Sequence, residues 1–192
     1  MPWERKFDEA DVLEKAMHAF WRQGYEATSM KTLVGAMGLN PGSIYAAFGD
    51  KRSLFNRTLE HYRAQVRAML TNLETNPSPR AAIHQFFTYA TNDMRGAAES
   101  CGCFLVNSSL EMNTDDTEIR RTVHDGQDET EAFFKRMIAA GQAAGEIRAD
   151  LDGAKTARLL TGLISGARVL TRGRPDHGIV VDLSDHVDSL LG

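Results

Sequence analysis

Cysteine is scarce in this 192-residue chain, and the two present, Cys101 and Cys103, stand too close in sequence to bridge without strain. A disulfide framework is excluded, and a reducing compartment fits. No apolar run approaches the roughly 20 residues that a membrane span needs, and the start, Met1 to Lys6, is not followed by a signal-peptide core. A cytoplasmic location with no membrane partner is the expectation. Internal repeats and low-complexity runs are lacking as well. So are the phosphate-loop, dinucleotide, hydrolase-elbow and zinc-protease signatures, while the six histidines are scattered. An enzyme is therefore not expected, and neither is a cofactor.

His124 and Asp128, four apart on a helical stretch, could reach one metal ion. Two ligands are too few for a site. Their neighbours Asp125, Glu129 and Glu131 read as a solvated acidic face.

What the chain does have is a composition of 42% hydrophobic and 25% charged residues, enough for a sizeable core in one or two compact units. Its net charge of −4 looks wrong for a nucleic-acid partner, yet the charge is unevenly placed. Between Lys31 and Arg63, the basic Lys31, Lys51, Arg52, Arg57 and Arg63 oppose only Asp50 and Glu60, a local charge of +3. Residues 64–192 carry an acidic excess.

The richest segment is Thr28 to Lys51. Ser29 can cap a first helix on which Leu33, Val34 and Met37 share a face, and Gly38 breaks it. Asn40 can cap a second, Pro41 suits its first turn, and Ile44 and Phe48 point inward. That second helix is short, with Gly42, Ser43, Tyr45 and Ala46 outward. These are small or amphipathic groups that let backbone approach a groove. Asp50 can cap a third helix whose first turn holds Lys51 and Arg52, an end suited to a phosphate. Two short helices joined at a glycine make the layout of a DNA-reading helix-turn-helix.

The remaining pattern is helical throughout, predicting an all-α fold. A first helix is expected from about Phe7 to Gln23, with Val12, Leu13, Ala16, Met17 and Phe20 on one side. Arg57 to Leu73 reads as a continuous linking helix, stopped at Asn76-Pro77-Ser78-Pro79. Further stripes run from Ala82 to near Gly96, from Phe104 to Met112, from about Asp116 to Ala143, from a cap at Asp150 or Asp152 to Gly173, and from near Asp176 to Leu191. The last stripe, with Ile179, Leu183, Val187, Leu190 and Leu191, needs a surface to bury it. Gly162 and Gly166 permit close helix packing, either within the subunit or against a twofold copy.

The runs Gly-Tyr-Glu-Ala-Thr-Ser, Met-Gly-Leu-Asn-Pro-Gly-Ser-Ile-Tyr and Phe-Gly-Asp-Lys-Arg-Ser-Leu-Phe, within Gly24 to Phe55, resemble the DNA-binding domain of TetR/AcrR-type transcriptional regulators. Gly102 to Ser108 is similar to a stretch found in many members. The resemblance implies an N-terminal three-helix DNA-binding domain at residues 1–56 and a C-terminal helical regulatory domain at 57–192. It further implies a homodimer through the last two helices, a palindromic double-stranded operator and a small-molecule inducer that releases a repressor. By resemblance and position, Ser29, Lys31, Tyr45 and Lys51 are expected on phosphates, with Thr28 as a further phosphate contact. Gly42, Ser43 and Ala46 are expected near the bases. No Arg or Gln on this helix offers a bidentate base contact.

For the inducer, Phe86, Phe87, Tyr89, Met94, Phe104, Phe133, Phe134 and Met137 are candidate cavity walls, with Asn107, Ser108 or Glu111 orienting a polar group. Most of these aromatics equally fit a filled bundle. The alternative sensor is redox or electrophile chemistry at Cys101 and Cys103, which requires an exposed thiolate of low pKa. With Glu99 as the nearest charge, a structural role for both thiols is the stronger reading.

Overall fold

The computed structural model describes residues 7–92, 101–111, 116–173 and 177–192. Among them are nine helices and no strand: α1 (Glu9–Gln23), α2 (Met30–Met37), α3 (Pro41–Phe48), α4 (Lys51–Leu73), α5 (Pro79–Asn92), α6 (Phe104–Glu111), α7 (Thr117–Ala144), α8 (Gly153–Gly173) and α9 (His177–Leu191). No described helix is long and apolar enough to cross a membrane. Met94, Gly96, Glu99, Met112 and the Arg174-Pro175 break lie outside the described residues, as does the side chain of Ile179.

Side-chain caps set the starts of the first four helices. Asp8 accepts from the N–H groups of Ala10 and Asp11, Ser29 from Thr32, Asn40 from Ser43 and Asp50 from Ser53. Each satisfies backbone donors that the first turn leaves without helical partners. α1 therefore begins two residues after Phe7, because Asp8 is the cap. Gly38 ends α2 in the left-handed conformation at φ 67°, where a side chain would be strained. α7 is capped by Asp116 and α8 by Asp152, the second of the two aspartates offered by the sequence.

Two apolar cores form, and they divide the chain differently from its sequence order. The first joins α1 to α4 and includes Phe104 and Leu105 of α6 with Ile119 and Val123 of α7. The second joins the end of α4 (Leu70, Leu73) to α5, the later half of α7, α8 and α9. Val66 on α4 packs against both. α4 runs unbroken through residues 56 and 57, so one rigid helix enters both cores.

Polar clamps follow the same seam. Arg52 grips Asp116 through Nε and Nη2, both at 2.6 Å, and reaches Glu118 at 3.0 Å. Arg63 bonds Glu129 at 2.8 Å and Asp125 at 3.0 Å. Arg57 pairs with Glu9. The basic excess counted along the sequence is thus largely consumed, because Arg52, Arg57 and Arg63 each meet a carboxylate from another helix or its cap. Asp125 and Glu129 are correspondingly not a free acidic face: they hold α7 to α4. His124 pairs with Asp128 at 3.1 Å on the exposed side, and no three metal-capable side chains converge among the described residues.

Candidate functional site

α3 is anchored by Ile44 and Phe48, both buried, and turns its other face to solvent. Gly42 and Ala46 are exposed, Ser43 is half-buried, and Tyr45 keeps half its surface open. An exposed tyrosine on a short helix leaves a hydroxyl and a ring for an external partner. A Cβ at Gly42 would come within 3.3 Å of the Asn40 side-chain oxygen, so the cap and the small residue fit each other. Lys31 lies exposed on α2, and Ser29 lies beside it with its hydroxyl used as the helix cap.

Lys51 stands at the start of α4. Its ammonium lies 4.4 Å from the centre of the Tyr25 ring and donates to the Glu26 carbonyl at 3.4 Å. These contacts fix the cation beside the turn between α1 and α2, at a helix N-terminus whose dipole favours an anion. Arg52, the next cation along, is turned away to Asp116. The Ser53 N–H holds the Asp50 carboxyl below its ordinary pKa, so the cap stays ionised.

Thr28 corrects the sequence reading. It is fully buried and donates to the Gly24 carbonyl at 2.6 Å, so its hydroxyl ties the approach to α2 back to α1 and reaches no phosphate.

A cavity of about 70 Å³ lies where the two cores meet. Tyr62, Val66 and Met69 of α4, Phe86 of α5, Cys103 and Leu105 beside and on α6, Gln127 and Thr130 of α7, and Thr161, Ser165 and Arg168 of α8 line it. Of the eleven ligand candidates expected from sequence, ten fall on described residues, and of those only Phe86 borders this space. Phe104 instead plugs the N-terminal aromatic cluster, 5.6 Å from Phe55 and 5.9 Å from Tyr62. Phe134 is fully buried among Phe86, Phe87 and Phe133. Tyr89 faces solvent.

The three polar candidates have structural partners. The Asn107 amide donates to the Cys101 carbonyl at 2.7 Å, and the Ser108 hydroxyl to the Phe104 carbonyl at 2.8 Å. Glu111 accepts from the Tyr25 N–H at 3.1 Å, bracing α6 against the turn after α1. A Cβ at Gly24 would lie 2.6 Å from that same carboxylate, so glycine is needed for the brace to close.

Cys101 and Cys103 are free thiols, and Cys103 accepts a contact from the Tyr62 hydroxyl at 3.6 Å. The sequence reading missed Arg168, Gln127 and Thr130. Their signal was a polar stripe inside an apolar helix: Thr161, Ser165 and Arg168 recur at helical spacing, as do Gln127 and Thr130.

Comparison with known proteins agrees with this arrangement. Residues 12–58 match the family described as bacterial regulatory proteins, tetR family, and residues 79–177 match the tetracyclin repressor-like C-terminal domain. The HTH-type transcriptional repressor ComR of Escherichia coli is 31% identical over 170 residues, covering 86% of this chain and 80% of that protein. The uncharacterized HTH-type regulator YezE of Bacillus subtilis is 29% identical over 97% of this chain and 96% of its own. A solved structure of the regulator CifR, complexed with 26 bp double-strand operator DNA, superposes with a TM-score of 0.85 at 27% identity, covering 98% of this chain and all of the other.

Proposed function

As this chain belongs to the TetR family of transcriptional regulators, we propose that it is a homodimeric repressor that reads a palindromic operator with α3 and leaves it when a small molecule enters the cavity between its cores. The observation that carries the DNA reading is α3 itself, held from behind by Ile44 and Phe48 while Gly42, Tyr45 and Ala46 are open to solvent and Ser43 is half-buried beside them. Residues 1–56 then act as the reading unit and 57–192 as the regulatory unit, with α4 common to both. Tyr45, Lys31, Lys51 and the Ser29 end of α2 serve phosphates, while Gly42, Ser43 and Ala46 lie nearest the bases. That CifR, similar over the whole chain, is complexed with double-strand operator DNA supports the DNA reading.

Dimerisation is supported by the outer face of α8 and α9. Leu159, Val169, Leu170 and Val181 are large apolar side chains left open to solvent, and a Cβ at Gly162 or Gly166 would meet nothing within 4 Å. A second copy covers such a face and brings two backbones close. The twofold axis places the two α3 helices one DNA turn apart, about 34–36 Å. A ligand between the cores tilts α4 and alters that spacing, lowering DNA affinity only by its preference for one arrangement over the other.

Selection of bound duplexes from a random pool tests the reading. An inverted repeat with two equivalent half-sites is the expected product. Enrichment of no sequence, or of an asymmetric one, rejects it.

A further inference from the structure

Glu111 ends α6, within the regulatory unit, yet its carboxylate closes on the turn between α1 and α2 in the reading unit. Its Oε2 accepts from the Tyr25 N–H at 3.1 Å, and Arg172 in the last turn of α8 stands 3.7 Å from its Oε1. The turn is shaped for that reach. Gly24 leaves α1 at φ 81°, where a side chain would be strained, and a Cβ there would fall 2.6 Å from the same carboxylate. The other end of this peptide is also tied, since the Gly24 carbonyl accepts from the buried Thr28 hydroxyl at 2.6 Å. One peptide, between Gly24 and Tyr25, is therefore held by Thr28 from the reading unit and by Glu111 from the regulatory unit.

What this peptide carries is Tyr25. Its ring lies 4.8 Å from Phe55 and 6.1 Å from Phe20, and the Lys51 ammonium rests 4.4 Å from its centre. The next carbonyl, of Glu26, accepts from the same ammonium at 3.4 Å. A lysine head on its flexible stem loses rotamer freedom when it takes up a phosphate, and a cation ordered before DNA arrives is spared that loss. Charge alone gives Glu111 the opposite effect, because an acid near a DNA-binding surface opposes the phosphates and its removal strengthens binding. The two accounts differ in sign. Resting on the operator reading above, we infer that Glu111 is a positioning residue for DNA binding: from the regulatory unit it fixes the peptide before Tyr25, and through Tyr25 and Glu26 it sets Lys51 for a phosphate. α6 also gives Leu105 and Val106 to the cavity wall, so one helix touches both the cavity and this turn.

The test uses the full chain and the duplex recovered from the random pool, with affinity read by anisotropy at two salt concentrations. Thermal melts and sedimentation verify folded dimers. Glu111→Ala binds about fivefold more weakly than wild type and loses the same increment of salt dependence as Lys51→Ala. In a Lys51→Ala background the same substitution changes affinity by less than about twofold, because both act on one contact. Glu111→Gln keeps the acceptor without the charge and binds at least as tightly as wild type. Glu111→Asp keeps the charge, falls a methylene short of Tyr25 and binds as weakly as Glu111→Ala; this second pair decides the matter where alanine impairs folding. Binding by Glu111→Ala at or above wild type, an undiminished loss in the Lys51→Ala background, or Glu111→Gln as weak as Glu111→Asp overturns the inference, and leaves the operator reading standing when Lys51→Ala alone is weak. Wild-type affinity in Lys51→Ala removes the phosphate assignment at Lys51 and the inference with it.

Discussion

The helix-turn-helix and the cavity behind it are built in opposite ways. The features that shape α3 itself lie within about ten residues of it: the Asn40 cap, Pro41 in the first turn, the glycines on either side, and the Ile44 and Phe48 anchors, which pack into a core shared with α1. The cavity draws on α4, α5, α6, α7 and α8, and Arg168, the one charged group among its described lining residues, comes from the far end of the chain. A reading surface made from local rules keeps its shape while the parts around it move. A cavity assembled from distant pieces changes shape when they shift, which is what a control site needs.

Substitution in the aromatic cluster of the first core should have the largest effect. Phe55 is fully buried and touches Phe20, Tyr25 and Phe104, thereby linking α1 and α4 to α6. Phe55→Ala is expected to cost about 3–5 kcal/mol in urea unfolding. A loss below about 1 kcal/mol would mean that the first core is less continuous than the aromatic cluster indicates.

Within the reading unit, Asn40→Ala removes one cap and is expected to cost about 1 kcal/mol. Operator affinity should fall more than stability does, because the end of α3 frays where it meets DNA. Equal stability and affinity in the variant would break the claim that α3 is set locally.

The Arg52–Asp116 clamp gives a smaller, pH-dependent effect. The Arg52 guanidinium beside it holds the Asp116 carboxyl below its ordinary value, against the opposing effect of burial. A lowered folded-state value means that the clamp's contribution is complete above the unfolded pKa, about 4, and is lost as pH falls through the folded value. Asp116→Asn should cost no more than about 1 kcal/mol at neutral pH and flatten the acid limb of the stability profile. Thermal melts between pH 3 and 7 check this; an unchanged acid limb would remove the clamp from the seam. The smallest effect is expected at Cys103. Cys103→Ser keeps an acceptor for the Tyr62 hydroxyl, and DNA binding with its ligand response should be unaltered. A lost response with DNA binding intact would restore a thiol sensor.

The same contrast explains what could be read from the chain. Caps, stop glycines and apolar spacing placed most helix ends to within a residue or two, because those signals act over one or two turns; the exceptions are the linking helix, read from Arg57 but continuous from Lys51, and α5, read from Ala82 but starting at Pro79. Charge did not transfer in this way: Arg52 and Arg63 lie 62–66 residues from their acids, and nothing in a linear count pairs them. Thr28 misled because a hydroxyl beside a helix start fits a phosphate as well as a carbonyl one turn back. Phe104 and Phe134 are aromatic at helical spacing, which describes filled core and cavity wall alike. Arg168 was passed over because it is one of four cations on α8 and its target at Gly102 lies 66 residues away.

The most direct measurement is the affinity of Tyr45→Ala and Lys51→Ala for the selected duplex, with the dimer verified by sedimentation. Each variant should stay dimeric and folded, bind about tenfold or more weakly, and, for Lys51→Ala, show a salt dependence shallower by about one phosphate contact per subunit. Wild-type affinity in both, at the same salt, would contradict the placement of α3 and the start of α4 against DNA.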